Sequence, residues 1–587
     1  MADMDVDNTV PVVIKHQGKS YNIDVDTSEP GSVFKYQVYS LTSVQPENQK
    51  ILCKASQIKD DTDMSKLRLK AGQVIMVLGQ PGEAPARFEA PKEKTRFVED
   101  MSARELAQKG GLAVPVGLEN LGNTCYLNSS LQVMRSIPEL QDNLVNHFKP
   151  SEDRSVSNLT STLRDVFLDM STTGDTVRPE GLLSMLRKCN ERFAERTRTG
   201  AYAQQDAEEA WTYLINNLKT TLPLEDETPA AAEGSAGSST NENGSSASKS
   251  KGKSSVIDRY MTGQLESVTV CDEAEGNTED NVKPESKAFR VLDCHINESV
   301  NHLRDGLLAG LVHKMEKSSD VLGRTAGFTS TDRISQLPKY LGVHVLRFSW
   351  KRTAQLSTKI LRKVTFPLDL DITEFCTDEL RLRLAPIRDK VREVAKDVEE
   401  IERSKKKRKR RISESKQSGE PASSSSSSAA GNSSGNTSSK TSGKKEEPVE
   451  NFKTDAEIEA EKQAVVEKAK EELYQLVKPH LEQDRYANHS GLYQLRAVLT
   501  HQGARSDSGH YTAFVKKGTI LNPVSGRMSE EDGNWLWFND ETVTEVAADR
   551  IESLAGGGPS HSAFMLLYAS VPLLLPENRV TEKFSQS

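Results

Sequence analysis

Val10 to Ile14 is an apolar, β-branched run, and Tyr21-Asn22-Ile23-Asp24-Val25 alternates apolar with polar positions. His16-Gln17-Gly18-Lys19 between them supplies turn chemistry, so the two runs predict a hairpin. Phe34, Val38 and Leu41 then stand at i, i+4 and i+7, one face of a short helix. Lys50 to Cys53 and Val74 to Leu78 read as further strands. Much later, Tyr493, Leu495, Ala497 and Leu499 alternate as a strand that runs into His501 to His510, a loop of small residues. Tyr511 to Val515 and Trp535 to Phe538 read as two more strands, the second closed by Asn539-Asp540.

Two longer stripes have helical spacing. Ile387, Val391, Val394, Val398 and Ile401 step by four and three, and Ile458, Val465, Ala469, Leu473 and Leu476 do likewise. They predict an antiparallel helix pair projecting from the surrounding domain over residues 380–478. Ser404 to Val449, opening with the basic run Lys405 to Arg411, is expected to form its disordered tip. Thr228 to Ser255 is rich in Ser, Gly, Ala and Asn and predicts a second disordered insert.

The 587 residues exceed one ordinary core, and a net charge of −8 gives the chain as a whole no nucleic-acid character. The basic run fits a solvated tip, a nuclear import signal or a patch for an acidic partner, and no aromatic residues interleave with its charges. Six cysteines, at 53, 125, 189, 271, 294 and 376, form no Cys-x-x-Cys pair, so no zinc site and no cofactor are expected. The acidic start, Met1 to Asn8, lacks a secretory apolar segment, and no membrane span of about eighteen apolar residues is found. A soluble protein of a reducing compartment is expected.

One stretch carries chemistry. Gly117 to Thr124 is a Gly/Asn-rich loop, and Leu127, Leu131 and Met134 then recur at spacings of four and three. This places Cys125 at a helix N-terminus, where unpaired N–H groups and the helix dipole favour a thiolate and can receive an oxyanion. The same window also fits a small buried cysteine. A cysteine nucleophile needs a base, and His510, standing clear in its Gly/Ser loop, is the best of eleven histidines. Asn539 or Asp540, at the end of the next strand, is placed to hold its imidazole.

Asn120 to Ser129 resembles the cysteine box of the ubiquitin-specific proteases, and Ser508 to Ala513 resembles their histidine box. Trp537 to Asp540, Gln204 to Glu209 and Leu341 to Phe348 are similar to three further segments of that family, in the same order. The resemblance implies an α+β fold: a papain-like thumb, palm and fingers cysteine protease over residues 115–572. Two strands, a helix and further strands within residues 9–80 look like a β-grasp, ubiquitin-like domain, joined by a linker over 81–114, with a polar tail over 573–587. That pairing, with Val44-Gln45-Pro46 and His501-Gln502-Gly503, resembles the proteasome-associated subgroup.

By resemblance Cys125 is the nucleophile, His510 the base and Asn539 the third member, with Asp540 sharing that task. Asn120 is the side-chain donor of the oxyanion hole. Gln205, Asp206, Glu209, Ser508 and Gly509 hold the tail of ubiquitin, and the stretches His501–Gly509 and Arg347–Lys359 cover the tail cleft until activation. The family's zinc knuckles are missing, since Cys271 and Cys294 are isolated. The expected function is that of a thiol-dependent ubiquitinyl hydrolase acting on ubiquitinated proteins at the proteasome regulatory particle and recycling ubiquitin, in cytoplasm and nucleus. The alternative is a mainly non-catalytic ubiquitin-binding regulator.

Overall fold

The computed structural model describes residues 9–79, 110–224, 254–417 and 455–576, apart from 43, 55, 151–153, 274–281, 298, 320–321, 352–355, 506–507 and 559. Residues 81–109 of the expected linker and nearly all of the Thr228–Ser255 insert therefore lie outside the described residues. The chain divides into two compact units, one built from residues up to Arg381 and from Tyr486 to Val571, the other around Leu382–Arg485.

The first unit begins with strands β1 (Thr9–His16) and β2 (Lys19–Asp26), whose register sets Val12 opposite Ile23 and Ile14 opposite Tyr21. Gln17 and Gly18 both take positive φ, 46° and 79°, as a two-residue hairpin turn demands. Helix α1 (Gly31–Thr42) follows, then β3 (Lys50–Cys53), β4 (Ser56–Ile58) and β5 (Gln73–Leu78). The sheet order is β2-β1-β5-β3-β4 with β1 and β5 parallel, the layout of a ubiquitin-like domain. Phe34 and Val38 pack on Val12, Ile14, Ile51 and Ile75, the inward positions of the alternating strands. The outward residues of β5, Val74, Met76 and Leu78, are exposed.

Helices α2 (Cys125–Met134), α3 (Arg154–Thr172), α4 (Glu180–Cys189) and α5 (Ala207–Thr221) come next. All ten residues of α2 are buried. Its apolar side, Leu127 and Leu131, shares a core with Trp211 and Leu214 of α5 and with Tyr511, Ala513 and Phe538 of the large sheet.

A four-stranded antiparallel sheet, order β7-β6-β10-β9, is made of β6 (Gly263–Cys271), β7 (Val282–Phe289), β9 (Val312–Ser319) and β10 (Arg324–Gln336). Between its second and third strands in sequence lie β8 (Val291–His295) and α6 (Leu303–Gly310). Cys271 ends β6, whereas Cys294 lies in β8 of the other sheet.

The eight-stranded sheet runs β20-β19-β16-β15-β21-β11-β8, with one short strand at its side. Its members beyond β8 are β11 (Tyr340–Leu346), the short β14 (Asp369–Asp371), β15 (Leu492–Arg505), β16 (Ser508–Lys516), β19 (Trp535–Asn539), β20 (Thr542–Val546) and β21 (Ser562–Ser570). β12 (Phe348–Lys351) and β13 (Leu356–Lys359) form a separate hairpin, and β17 (Leu521–Asn522) and β18 (Arg527–Met528) another. The expected loop His501–His510 is mostly strand: β15 continues to Arg505 and β16 starts at Ser508. A register shift between Gln502 and Arg505 absorbs the small residues.

The second unit is the expected antiparallel pair, α7 (Asp378–Gln417) and α8 (Asp455–Gln483). Lys390–Glu472 and Lys462–Glu400 bridge it. Two details differ from expectation. Ser404 to Gln417 is helix rather than disordered tip, because Lys, Arg and Glu are good helix formers even without an apolar stripe. The rest of the expected tip, 418–454, lies outside the described residues. On α8 the buried stripe is Val466, Ala469, Leu473 and Val477, while Ile458, Val465 and Leu476 are exposed.

Candidate functional site

Cys125 opens α2, directly after the tight turn Gly122-Asn123, whose φ angles are 96° and 54°. The turn is held from within: Asn120 Oδ1 accepts from the Gly122 N–H at 2.9 Å, and Thr124 Oγ1 accepts from the Leu121 N–H at 2.9 Å. The neighbouring loop is held by Asn123, which donates to the Tyr202 carbonyl at 3.0 Å. Gly117 crosses against the Glu541 backbone so closely that any Cβ would overlap its carbonyl oxygen. The Leu118 N–H donates to the Asp540 carbonyl at 2.9 Å, so the cysteine box is stitched to the β19–β20 turn.

The large sheet brings the other groups to this turn. The Tyr511 N–H of β16 donates to Cys125 Sγ at 3.5 Å. Next to Tyr511 stands His510, fully buried, and its Nε2 lies 2.6 Å from Asn539 Oδ1 at the end of β19. A carbonyl oxygen accepts only, so Nε2 carries the hydrogen and Nδ1 keeps its lone pair. Among the described residues Nδ1 has no hydrogen-bond partner. Gly509 sets the approach with φ 124°, where a side chain would overlap the Gln502 carbonyl oxygen. Cys125, His510 and Asn539, far apart in sequence, are thus brought together.

Asp540 takes a more central place than a spare partner for His510. It is buried, at φ 48°, and its carboxylate accepts from Asn120 Nδ2 at 2.8 Å and from Asn128 Nδ2 at 2.7 Å. Its Oδ2 is 4.0 Å from His510 Nε2. Burial raises the pKa of Asp540, against the pull of His510 and the two amides. Asn128 was legible only as a helix residue of the cysteine box; its buried amide on a helix face is the signal that was available.

The Cys125 thiol departs from expectation. Burial first, then the charge of Asp540, push its pKa up, and the N–H groups of Tyr511, Tyr126 and Cys125 do not offset them. The helix start favours a thiolate, but desolvation wins for a sulfur this deeply buried.

Desolvation comes from an element the sequence did not connect with the site. Tyr36 of α1 stacks on the His510 ring, centroids 5.7 Å apart at 15°, and Tyr39 meets it edge-on at 6.0 Å and 80°. The Tyr39 hydroxyl donates to the Asn539 carbonyl at 3.2 Å. The available signal was a pair of aromatics at i, i+3 on the face of α1 opposite Phe34 and Val38.

The expected tail-contact residues lie beside the cysteine box. Asp206 caps α5, accepting from the Glu208 N–H at 2.8 Å, and burial raises its pKa. Glu209 pairs with Arg192 at 2.7 Å. Gln204 and Gln205 are buried, and among the described residues each has a side-chain nitrogen without a partner. Lys359, at the end of β13, donates to the His501 carbonyl at 2.8 Å, and burial lowers its pKa to about 7. Beneath that hairpin, buried Arg347 donates to the carbonyls of Ala563, Arg362 and Ala555. An open cavity of about 620 Å³ separates Tyr21 and Leu41 from Asn120, Asn123, Arg187 and Tyr202. Among the described residues no helix is long and apolar enough to cross a membrane.

Residues 116–568 match the protein family described as ubiquitin carboxyl-terminal hydrolase. The chain is 35% identical to ubiquitin carboxyl-terminal hydrolase 6 of Schizosaccharomyces pombe, over 95% of this chain and 98% of that protein. It is 32% identical to ubiquitin carboxyl-terminal hydrolase 7 of Arabidopsis thaliana, with the same coverage of both chains. It is 27% identical to ubiquitin carboxyl-terminal hydrolase 14 of Caenorhabditis elegans, over 98% of this chain and 95% of that one.

Proposed function

Since the chain belongs to the ubiquitin carboxyl-terminal hydrolase family of thiol-dependent deubiquitinases, we propose that it releases ubiquitin from conjugates at the proteasome, with Cys125 as nucleophile. The observation that carries this assignment is the His510 Nε2 to Asn539 Oδ1 contact of 2.6 Å, which leaves Nδ1 as the free base on the strand whose next N–H reaches Cys125 Sγ.

The chemistry follows from that tautomer. His510 Nδ1 takes the thiol proton as Sγ attacks the carbonyl of ubiquitin's last glycine. The tetrahedral oxyanion is met by the Cys125 N–H and by Asn120, whose amide has two hydrogens and spends one on Asp540. His510 passes its proton to the departing amine, and a thioester forms. Water, deprotonated by the same imidazole, then hydrolyses the thioester and frees both ubiquitin and the thiol. Asn539 keeps the imidazole in one tautomer throughout. Gln205, Asp206, Glu209, Ser508 and Gly509 hold the extended tail, the acids facing its basic residues.

The proteasome enters through the ubiquitin-like domain, whose exposed Val74, Met76 and Leu78 offer an apolar docking face. Work in cytoplasm and nucleus suits this role, and Lys405–Arg411 fits an import signal as well as a solvated tip or a patch for an acidic partner. A second function, holding ubiquitin without turnover, is favoured by one observation: Cys125 and His510 are both buried.

The test is hydrolysis of ubiquitin bearing a C-terminal fluorogenic amide, with and without proteasomes, beside Cys125→Ala. Slow cleavage alone, faster cleavage with proteasomes and none for Cys125→Ala are expected. Absence of cleavage in both conditions would refute the hydrolase, and retained proteasome binding would then leave the occupancy role.

A further inference from the structure

Nine of the twelve residues of α1 are buried, more than one face packed on a sheet accounts for. Phe34 and Val38 spend one face on the β-grasp core. The other face carries Tyr36 and Tyr39, and both rings lie on His510. The contact extends along the edge of the site. Gln45 Nε2 donates to Thr542 Oγ1 at 3.4 Å, just past the β19–β20 turn. Glu29, before α1, accepts a hydrogen bond from the Ala504 backbone, near the end of β15. The footprint therefore runs from Ala504 across His510 to Asn539 and Thr542. Under it Cys125 is 1% and His510 0% exposed.

We propose that the N-terminal ubiquitin-like domain is a tethered plug of its own catalytic site, seated through Tyr36 and Tyr39 on His510, and that ubiquitin's tail and this domain occupy the site in turn, never together. The inference rests on Cys125 and His510 being the reacting pair. For Sγ to attack, an extended peptide must bring its carbonyl to within about 3.5 Å, alongside the imidazole. Two aromatic rings already lie against that imidazole.

The plug follows from the chain's own connectivity. Gly79 and Gly110 are joined by a stretch whose residue count alone permits a reach of at most about 100 Å, so attachment does not hold the domain on the site. Tethering holds it near the site at an effective concentration on the order of millimolar. Dilute ubiquitin conjugates compete poorly with such an occupant, and the apparent activity scales with the open fraction. Any receptor that engages the domain in its released position adds to that fraction. The ubiquitin-like domain would then be inhibitor and address label in one.

The test uses the full chain. Tyr36→Ala with Tyr39→Ala is compared with the parent in two assays: alkylation of Cys125 by iodoacetamide, mapped by mass spectrometry, and hydrolysis of the ubiquitin fluorogenic amide. Both rates are expected to rise by about tenfold or more. A second chain, Gln45→Cys with Thr542→Cys, is clamped by a short reducible bis-thiosulfonate, which removes no buried ring, and the parent chain given the same reagent shows how far capping of Cys125 itself contributes. Clamped, it should neither alkylate at Cys125 nor hydrolyse, and reduction should restore both. Unchanged rates in the double alanine chain, with full activity in the clamped one, overturn the plug. Alkylation that rises on release while no form cleaves ubiquitin upholds the plug and sinks the hydrolase instead.

Discussion

The side-chain amide of Asn120 donates to the carboxylate of Asp540 at 2.8 Å, joining residues 420 positions apart. The same carboxylate takes the amide of Asn128. One buried acid thus fixes the loop before the nucleophile, the helix after it and the turn behind His510. Asp540→Ala leaves two buried amides unpaired and frees the proposed oxyanion donor. Activity on the ubiquitin fluorogenic amide should fall about 10²- to 10³-fold, at a stability cost of about 1–3 kcal/mol. Steady-state kinetics beside thermal unfolding check both, and wild-type kcat in the variant would remove Asp540 from the site's support.

Gly509 holds φ 124° where any Cβ would overlap the Gln502 carbonyl oxygen. Gly509→Ala must therefore shift the bulge that aims His510. Strain of about 1–3 kcal/mol is expected, with a drop in kcat far larger than that cost alone would bring in folded protein. A crystal structure or kcat measured well below the melting temperature separates the two effects.

Acid should destabilise the first unit steeply. Burial, with Lys359, holds His501 well below its ordinary pKa, and burial, with His510 and Lys359, lowers His561 to about 3. An unfolded histidine titrates near 6.5. As pH falls below that value the unfolded chain binds protons that the folded one refuses, so stability drops through the window from about 6.5 towards 3. Each histidine contributes a slope of about 1.4 kcal/mol per pH unit. Denaturant unfolding at several pH values reads the slope, and His561→Phe should remove about half of it.

The helix pair should yield locally. Leu473 of α8 is fully buried, and Leu473→Ala should cost about 2–5 kcal/mol there. Hydrogen exchange is expected to quicken across Asp455–Gln483 and to stay unchanged in β15 and β16. Equal acceleration in those strands would mean that the two units unfold as one.

Much of this was legible because local pattern and burial agree. Val12, Ile14, Ile23 and Val25 alternate in sequence and face one core, and Phe34 and Val38 fall on the stripe that period 3.6 gives. The segment around Cys125 carries its own turn glycines and cap, so a single window describes it. Asp540 could not be placed this way, since its partners Asn120 and Asn128 are remote in sequence and its value lies in their meeting. Tyr36 and Tyr39 stand out as an aromatic pair on α1, but what they cover was illegible for the same reason: His510 lies in another domain. On α8 the adjacent apolar pairs Val465-Val466 and Leu476-Val477 let two stripes fit, and only packing against α7 selects Val466 and Val477. Ser404–Gln417 misled because a polar run can be helix as readily as coil when Lys, Arg and Glu compose it.

β21 lies between β15 and β11 in the large sheet, pairing with both, although it is the last of the eight strands in sequence. A ribosome therefore delivers the middle of this sheet last. Until Ser562–Ser570 emerges, β8 and β11 on one side share no strand with β15, β16 and β19 on the other, and the Cys125 helix has no finished floor. The nucleophile is translated early, and the strand that closes the sheet comes more than four hundred residues after it. Birth order thus sets assembly order: the sheet beneath the Cys125 helix becomes continuous only when the last of its strands is in place.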